Sequence, residues 1–170
     1  MRKKSREMPA EWAFEVFDRA PYATLSLTRA DGTAYGVPVS HSRIGETFYF
    51  HCAMEGEKLD AIAANPAVCL SAVSKCHPMR GPKDASFTLE FKSAIAFGRA
   101  SIVSDEEEKV KAMRAICERY LPHQMEGFSE AIERSIARTA VVRIDLVAPP
   151  TGKRKQYDAN GDEMKYGRME

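Results

Sequence analysis

The sequence predicts a mainly β protein (α+β) with flanking helices, its strands antiparallel and closing into a barrel. Three observations predict this. About six short runs alternate apolar and polar residues or are apolar throughout. An Asp31–Gly32 turn links the first two runs, a strong short-range hairpin signal. Helical periodicity appears only at the start, between strands and near the end. Small antiparallel sheets best remove their exposed edges by closure.

The elements follow in order. A first helix is expected over residues 9–19, because Pro9 suits a first helical position and Trp12, Phe14, Val16 and Phe17 recur at helical spacing before Pro21. Residues 22–28 and 34–42 form the hairpin, and residues 47–53 a third strand. A short helix over 57–65 is stopped by Pro66. Residues 67–74 are almost wholly apolar or small and read as a strand covered on both faces. Two prolines and a glycine make residues 75–86 a loop. Residues 87–103 are the most informative strand: Phe87, Leu89, Phe91, Ile95 and Phe97 share one face, interrupted by Ser93. The opposite face turns from polar to small at Ala94, Ala96, Gly98 and Ala100, so a helix, a subunit or a ligand approaches it closely. Ser104 and Glu107 read as a capping box for a helix over 105–121, with Val110, Met113, Ile116, Cys117 and Tyr120 as its buried stripe. A shorter helix over 129–137 and a last strand over 139–148 complete one domain, residues 1–148; residues 149–170 read as a polar tail, loose or packed on a partner.

The chain has 170 residues, 44% hydrophobic and 29% charged, with 25 Lys+Arg against 24 Asp+Glu. That balance argues against nucleic-acid or membrane-surface partners, which call for a basic excess. No apolar run reaches the roughly 18 residues of a membrane span, and the basic start leads into a mixed helix rather than a signal peptide. Cys52, Cys69, Cys76 and Cys117 are widely spaced, without a CxxC pair or chelating His spacing. The expectation is a cytoplasmic protein with free thiols and no metal.

Four segments could carry chemistry. Between His51 and Lys58 a strand gives way through Gly56 to a helix; unpaired amides and a lysine there suit a phosphate, or Gly56 is a turn residue and Lys58 solvated. In Gly36-Val-Pro-Val-Ser40, Pro38 interrupts the ladder, either protecting an edge or freeing backbone groups for a ligand. Ser93 bonds backbone or a ligand. His51 titrates near neutrality and is a site residue or an ordinary strand residue. Neither a P-loop, nor a three-glycine dinucleotide fingerprint, nor a nucleophile elbow is present.

Together these segments resemble the FMN-binding split-barrel family related to pyridoxamine 5′-phosphate oxidase, nearest its nitroimidazole-resistance (Nim-type) branch. The resemblance rests on Gly36-Val-Pro-Val-Ser40, on Tyr49-Phe-His-Cys-Ala53 followed by Gly56-Glu-Lys-Leu-Asp60, on Asn65-Pro-Ala-Val-Cys69, on Phe91-Lys-Ser-Ala-Ile-Ala-Phe-Gly98 and on Thr151-Gly-Lys153, in that order. It implies a six-stranded antiparallel split β-barrel and a homodimer holding FMN in two interface clefts. Val37, Pro38, Val39 and Ser40 would lie along the flavin ring. His51, Cys52 and Ala53 would line the same cleft, with His51 facing substrate as the catalytic side chain. Gly56 and Lys58 would hold the phosphate, and Ser93 would come from the partner subunit. The implied activity is electron transfer from reduced flavin to a small organic acceptor, a nitro-aromatic being one class; the alternative is a non-catalytic flavin- or haem-binding protein. The chain departs from the branch at Cys52, where serine is more common, and at Glu57, where a basic residue is.

Overall fold

The computed structural model describes residues 2–167. Among them the elements run β1 (Glu7–Met8), α1 (Ala10–Arg19), β2 (Ala23–Thr28), β3 (Ala34–Val39), β4 (His41–Ile44), β5 (Thr47–Cys52), α2 (Glu57–Ala64), β6 (Ala67–Arg80), β7 (Phe87–Ile102), α3 (Glu106–Tyr120), α4 (Phe128–Ser135), β8 (Ala140–Leu146) and β9 (Thr151–Lys155). Two compact units emerge, one of Thr24–Leu70 with Phe97–Ala148, the other of Met1–Ala23, Ser71–Ala96 and Pro149–Glu170.

In the first unit the strands hydrogen-bond in the order β3-β2-β6-β7-β8-β5-β4. The two ends of that order, β3 and β4, are consecutive in the chain with only Ser40 between them. A sheet whose first and last strands are covalent neighbours must curve back on itself, which makes this unit a barrel split at Ser40. The register puts His41 opposite Phe50, Phe50 opposite Val142, and both Phe48 and Ala100 opposite Ile144, so these side chains share the inner face. All are buried. The outer face of β5 and β8 carries Tyr49 and Val141, covered by Met113 and Ile116 of α3 and Phe128 and Ile132 of α4. The Tyr49 hydroxyl donates to Glu108 at 2.8 Å, and Arg143 donates to the same carboxylate at 3.0 Å. Burial, then Glu108, pushes the Tyr49 pKa up to about 12. The Tyr120 hydroxyl accepts from the His41 backbone N–H at 3.1 Å, tying α3 to β4.

In the second unit β9 pairs with β7 on one side and with β1 on the other. Helix α1 lies on it: a Cβ built on Gly152 would stand 2.6 Å from Trp12 Cε3, so only glycine lets the indole sit on the strand. Arg6 donates to both oxygens of Glu163 at 2.6 Å.

Five sequence expectations are corrected. The second hairpin strand ends at Val39 and a separate strand starts at His41, because the barrel turns its corner at Ser40. Residues 75–80 are strand rather than loop, because β6 runs on through Pro78 to Arg80. The cap of α3 is Asp105, not Ser104: its carboxylate accepts from the Glu108 N–H at 2.7 Å, a charge-assisted bond that also faces the helix dipole. Residues 151–155 of the polar tail form β9, held by pairing rather than by any apolar pattern of their own. The described residues therefore hold nine strands, not six.

At Gly98 the small face of β7 is explained within the chain. A Cβ on Gly98 would meet Ile144 Cγ2 at 2.6 Å and the Asp145 carbonyl oxygen at 2.7 Å. The close neighbour is strand β8.

Candidate functional site

The junction of β5 and α2 is built by the barrel unit alone. β5 pairs with β4 and β8 and delivers His51 opposite Val141 and Cys52 opposite Ala140. Successive strand residues point to opposite faces, so His51 goes to the outer side and Cys52 to the side of Phe50. His51 is exposed and Cys52 half-buried. Ala53 and the two residues after it are exposed and lead to Gly56, whose φ of 124° is costly for a side-chain-bearing residue. Gly56 is the N-cap of α2, and its carbonyl accepts from Leu59 N–H at 2.8 Å. No side chain caps this helix. Its first amides therefore have no intrahelical acceptor and face outward.

Lys58 lies in that first turn and is half-buried. Its charge acts on both neighbouring groups. Burial first, and Lys58 second, hold the His51 pKa below the ordinary histidine value. Burial raises the Cys52 thiol, and Lys58 partly opposes this. Lys58, His51 and Cys52 are thus close enough to interact.

The β3 residues are split by the pleat. Val39 is 6% exposed and its side chain belongs to the core, so only its backbone can meet a ligand. Pro38 and Ser40 are exposed and Val37 is half-buried. β3 ends the strand order, so the outer edge of this segment is unpaired within the unit. Ser93 belongs to the other unit, on β7 opposite Lys153, half-buried.

One residue of the site has no signal in the sequence. Arg29, in the turn after β2, donates through Nε to Glu57 at the start of α2. Its guanidinium stacks 4.8 Å from the Tyr35 ring centroid. Arg29, Asp31, Glu57 and Asp60 line a cavity of about 300 Å³ beside the helix. Arg29 and Glu57 are twenty-eight residues apart, a separation that no local pattern reveals. Glu57 thus has a cationic partner, supplied by the hairpin turn, at the position where the family resemblance leads one to expect a base.

Uncapped amides, a lysine and a histidine close together at a strand-to-helix junction can hold an anion and donate a proton beside it. Among the described residues no His, Cys, Asp or Glu group converges as metal ligands would, and no helix is long and apolar enough to cross a membrane.

Comparison with known proteins bears on the fold. Among solved structures, a candidate 5-nitroimidazole antibiotic resistance protein from Bacteroides thetaiotaomicron superposes with a TM-score of 0.73 at 22% identity, over 84% of this chain and 82% of that one. A flavocytochrome from Azotobacter vinelandii gives 0.74 at 20% identity, over 94% and 78% of the two chains. An FAD and heme binding protein from Mycobacterium smegmatis gives 0.72 at 19% identity, over 93% and 81%. No curated protein matches the sequence. At these identities the likeness is one of fold. The model of the pyridoxamine 5′-phosphate oxidase family matches residues 9–153, nearly the whole barrel with its first helix and the start of β9, and to that family the chain belongs.

Proposed function

We propose that this chain binds FMN at the β5–α2 junction as a homodimer, and that it passes electrons from the reduced flavin to a small organic acceptor. The carrying observation is the uncapped start of α2 with Lys58 beside His51 and Cys52. Lys58 and the amides following Gly56 take the phosphate. Val37, Pro38, Val39 and Ser40 lie along the ring through the free edge of β3, with the His51 side chain and the backbone of Cys52 and Ala53 across from them. The partner subunit's Ser93 closes the cleft. The names of the structural neighbours, a flavocytochrome and an FAD and heme binding protein among them, support a flavin ligand.

A bound flavin supplies two-electron chemistry to the acceptor, with nitro-aromatics as one class. The chain's own work is to clasp the phosphate, keep water off the ring and hold a proton at the imidazole of His51.

The dimer reading rests on β7. Its large face is open: Phe87 is 90% exposed, Leu89 44%, Ile95 44% and Phe97 59%. A strand carrying four large apolar side chains into water is a surface for a partner. The four free cysteines suit a reducing compartment such as the cytoplasm.

The test is the visible spectrum of the purified protein, the mass of any ligand it releases, and titration with FMN. A yellow protein releasing FMN, or saturable FMN binding, is expected. A colourless protein that ignores FMN refutes the proposal, and a released FAD or deazaflavin corrects the cofactor. The haem alternative has one favourable observation: an exposed His51, its pKa held below the ordinary histidine value, offers a ring nitrogen as an axial ligand. A Soret band would establish it. Sedimentation checks the dimer, and Phe97→Asp is expected to yield monomers.

A further inference from the structure

On the face of β7 that carries its large apolar side chains, Ser93 lies directly opposite Lys153 of β9, flanked by the pairs Phe91–Lys155 and Ile95–Thr151. Residues opposite one another across an antiparallel pair share a side of the sheet. Lys153 Nζ stands 5.5 Å from the Phe91 ring centroid. On its other flank β1 sets Glu7 opposite Lys153, but the Glu7 carboxylate is engaged by Lys4 at 3.2 Å. Lys155 has its own partner, the Thr88 hydroxyl. Among the described residues no ion pair involves Lys153. An ammonium without a counter-ion among the described residues therefore sits within the stripe that a second copy is proposed to cover. Burying an unpaired charge is strongly unfavourable, and the Ser93 hydroxyl is no counter-ion. Whatever covers this face must bring an anion, and the ligand of the cleft is the group that carries one.

We infer that Lys153 and Ser93 form an oxyanion site, which receives a phosphate or carboxylate oxygen of the ligand held in the partner subunit's cleft. This inference rests on the proposed flavin dimer. The lysine gives a charge-assisted hydrogen bond, the serine a second, shorter-range donor, and the Phe91 ring restrains the ammonium. The oxyanion has two sources, the flavin phosphate or an acidic group on the acceptor, and one experiment separates them.

Apo-protein is titrated with FMN and with riboflavin by flavin fluorescence. FMN-loaded protein is titrated with 4-nitrobenzoate and with nitrobenzene by flavin difference absorbance. The native chain is compared with Lys153→Ala, Lys153→Arg and Ser93→Ala, each checked for mass by sedimentation. Lys153→Ala is expected to weaken one anionic probe about tenfold relative to its neutral counterpart, with Arg restoring most of the loss and Ser93→Ala costing about threefold. A loss confined to FMN assigns the site to the flavin phosphate; a loss confined to 4-nitrobenzoate assigns it to the acceptor. Both ratios staying within about twofold of native overturns the inference, including the case where Lys153→Ala only loosens the dimer because a partner carboxylate neutralises it. If Lys153→Ala fails to fold, the Arg and Ser93→Ala ratios decide. A native chain that binds neither FMN nor riboflavin sinks the flavin reading, and this inference with it; a native chain that binds both while the ratios stand still sinks only the oxyanion site.

Discussion

Replacing Gly98 by alanine tests the account of the barrel at its tightest point. The added Cβ would lie 2.6 Å from Ile144 Cγ2 and 2.7 Å from the Asp145 carbonyl oxygen. Carbon–carbon contacts settle at about 3.5–4.0 Å, so roughly 1 Å of relief is needed. Little is available. Ile144 is 1% exposed, is β-branched, and sits on a strand paired with Phe48 on one side and Ala100 on the other. Overpacking of this kind costs about 1–3 kcal/mol. Losing the glycine's unfolded-state freedom returns about 0.4–1 kcal/mol. The net expectation is about 1–2 kcal/mol of destabilisation, a Tm drop of about 2–8 °C for a chain of this size. Gly36→Ala is the matched control. Its Cβ meets only Thr24 Cγ2, at 3.9 Å, and its φ lies outside the left-handed region, so the entropy gain stands alone and Tm should rise slightly. Scanning calorimetry with urea denaturation reads both. Gly98→Ala as stable as the native chain, or Gly36→Ala equally harmful, would refute the packing argument.

Lys58→Ala should weaken FMN about tenfold by fluorescence titration with Tm unchanged, whereas Glu57→Gln should tighten it a few-fold, because Arg29 loses its carboxylate partner and a negative charge leaves the phosphate's neighbourhood. His51 has its pKa lowered by burial and by Lys58, so its imidazolium forms only below the ordinary histidine range. Acceptor reduction that draws its proton should speed up as pH falls through that lowered value, and His51→Gln should flatten the profile; an unchanged profile removes His51 from the reaction. Arg6 and Glu163 share a bidentate pair whose side chains are 11% and 21% exposed, with the Glu163 pKa lowered first by the Arg6 hydrogen bond. A lowered folded-state pKa contributes stability above the unfolded value and loses it as pH falls through the folded one. Glu163→Gln should therefore cost about 1–2 kcal/mol at pH 7 and progressively less as pH falls through the lowered Glu163 value, measured by urea denaturation.

Much of the barrel was legible because its strands repeat local patterns. The Asp31–Gly32 turn and the alternation on either side located β2 and β3; both are observed. The stripe from Val110 to Tyr120 marked the buried side of α3, which packs on Tyr49 and Val141. The distal half of β6 escaped because residues 75–80 are mostly exposed and polar, leaving no period to detect. The site was legible where it is contiguous: Gly56 and Lys58 follow His51 and Cys52 within a single strand-loop-helix passage. Arg29 was not, since its role exists only once a hairpin turn and a helix start come together.

From residues alone came the mainly β class, the hairpin at Asp31–Gly32 and the family, because each is written in local period, turn chemistry or motif order. Folding in three dimensions decided the rest: that the barrel splits at Ser40, that β8 lies against Gly98 on the small side of β7, that His51 and Cys52 part to opposite faces, and that Lys153 has no counter-ion among the described residues. Those outcomes depend on which strand pairs with which and in what register, and pairing between distant segments leaves no trace in the spacing of neighbours along the chain.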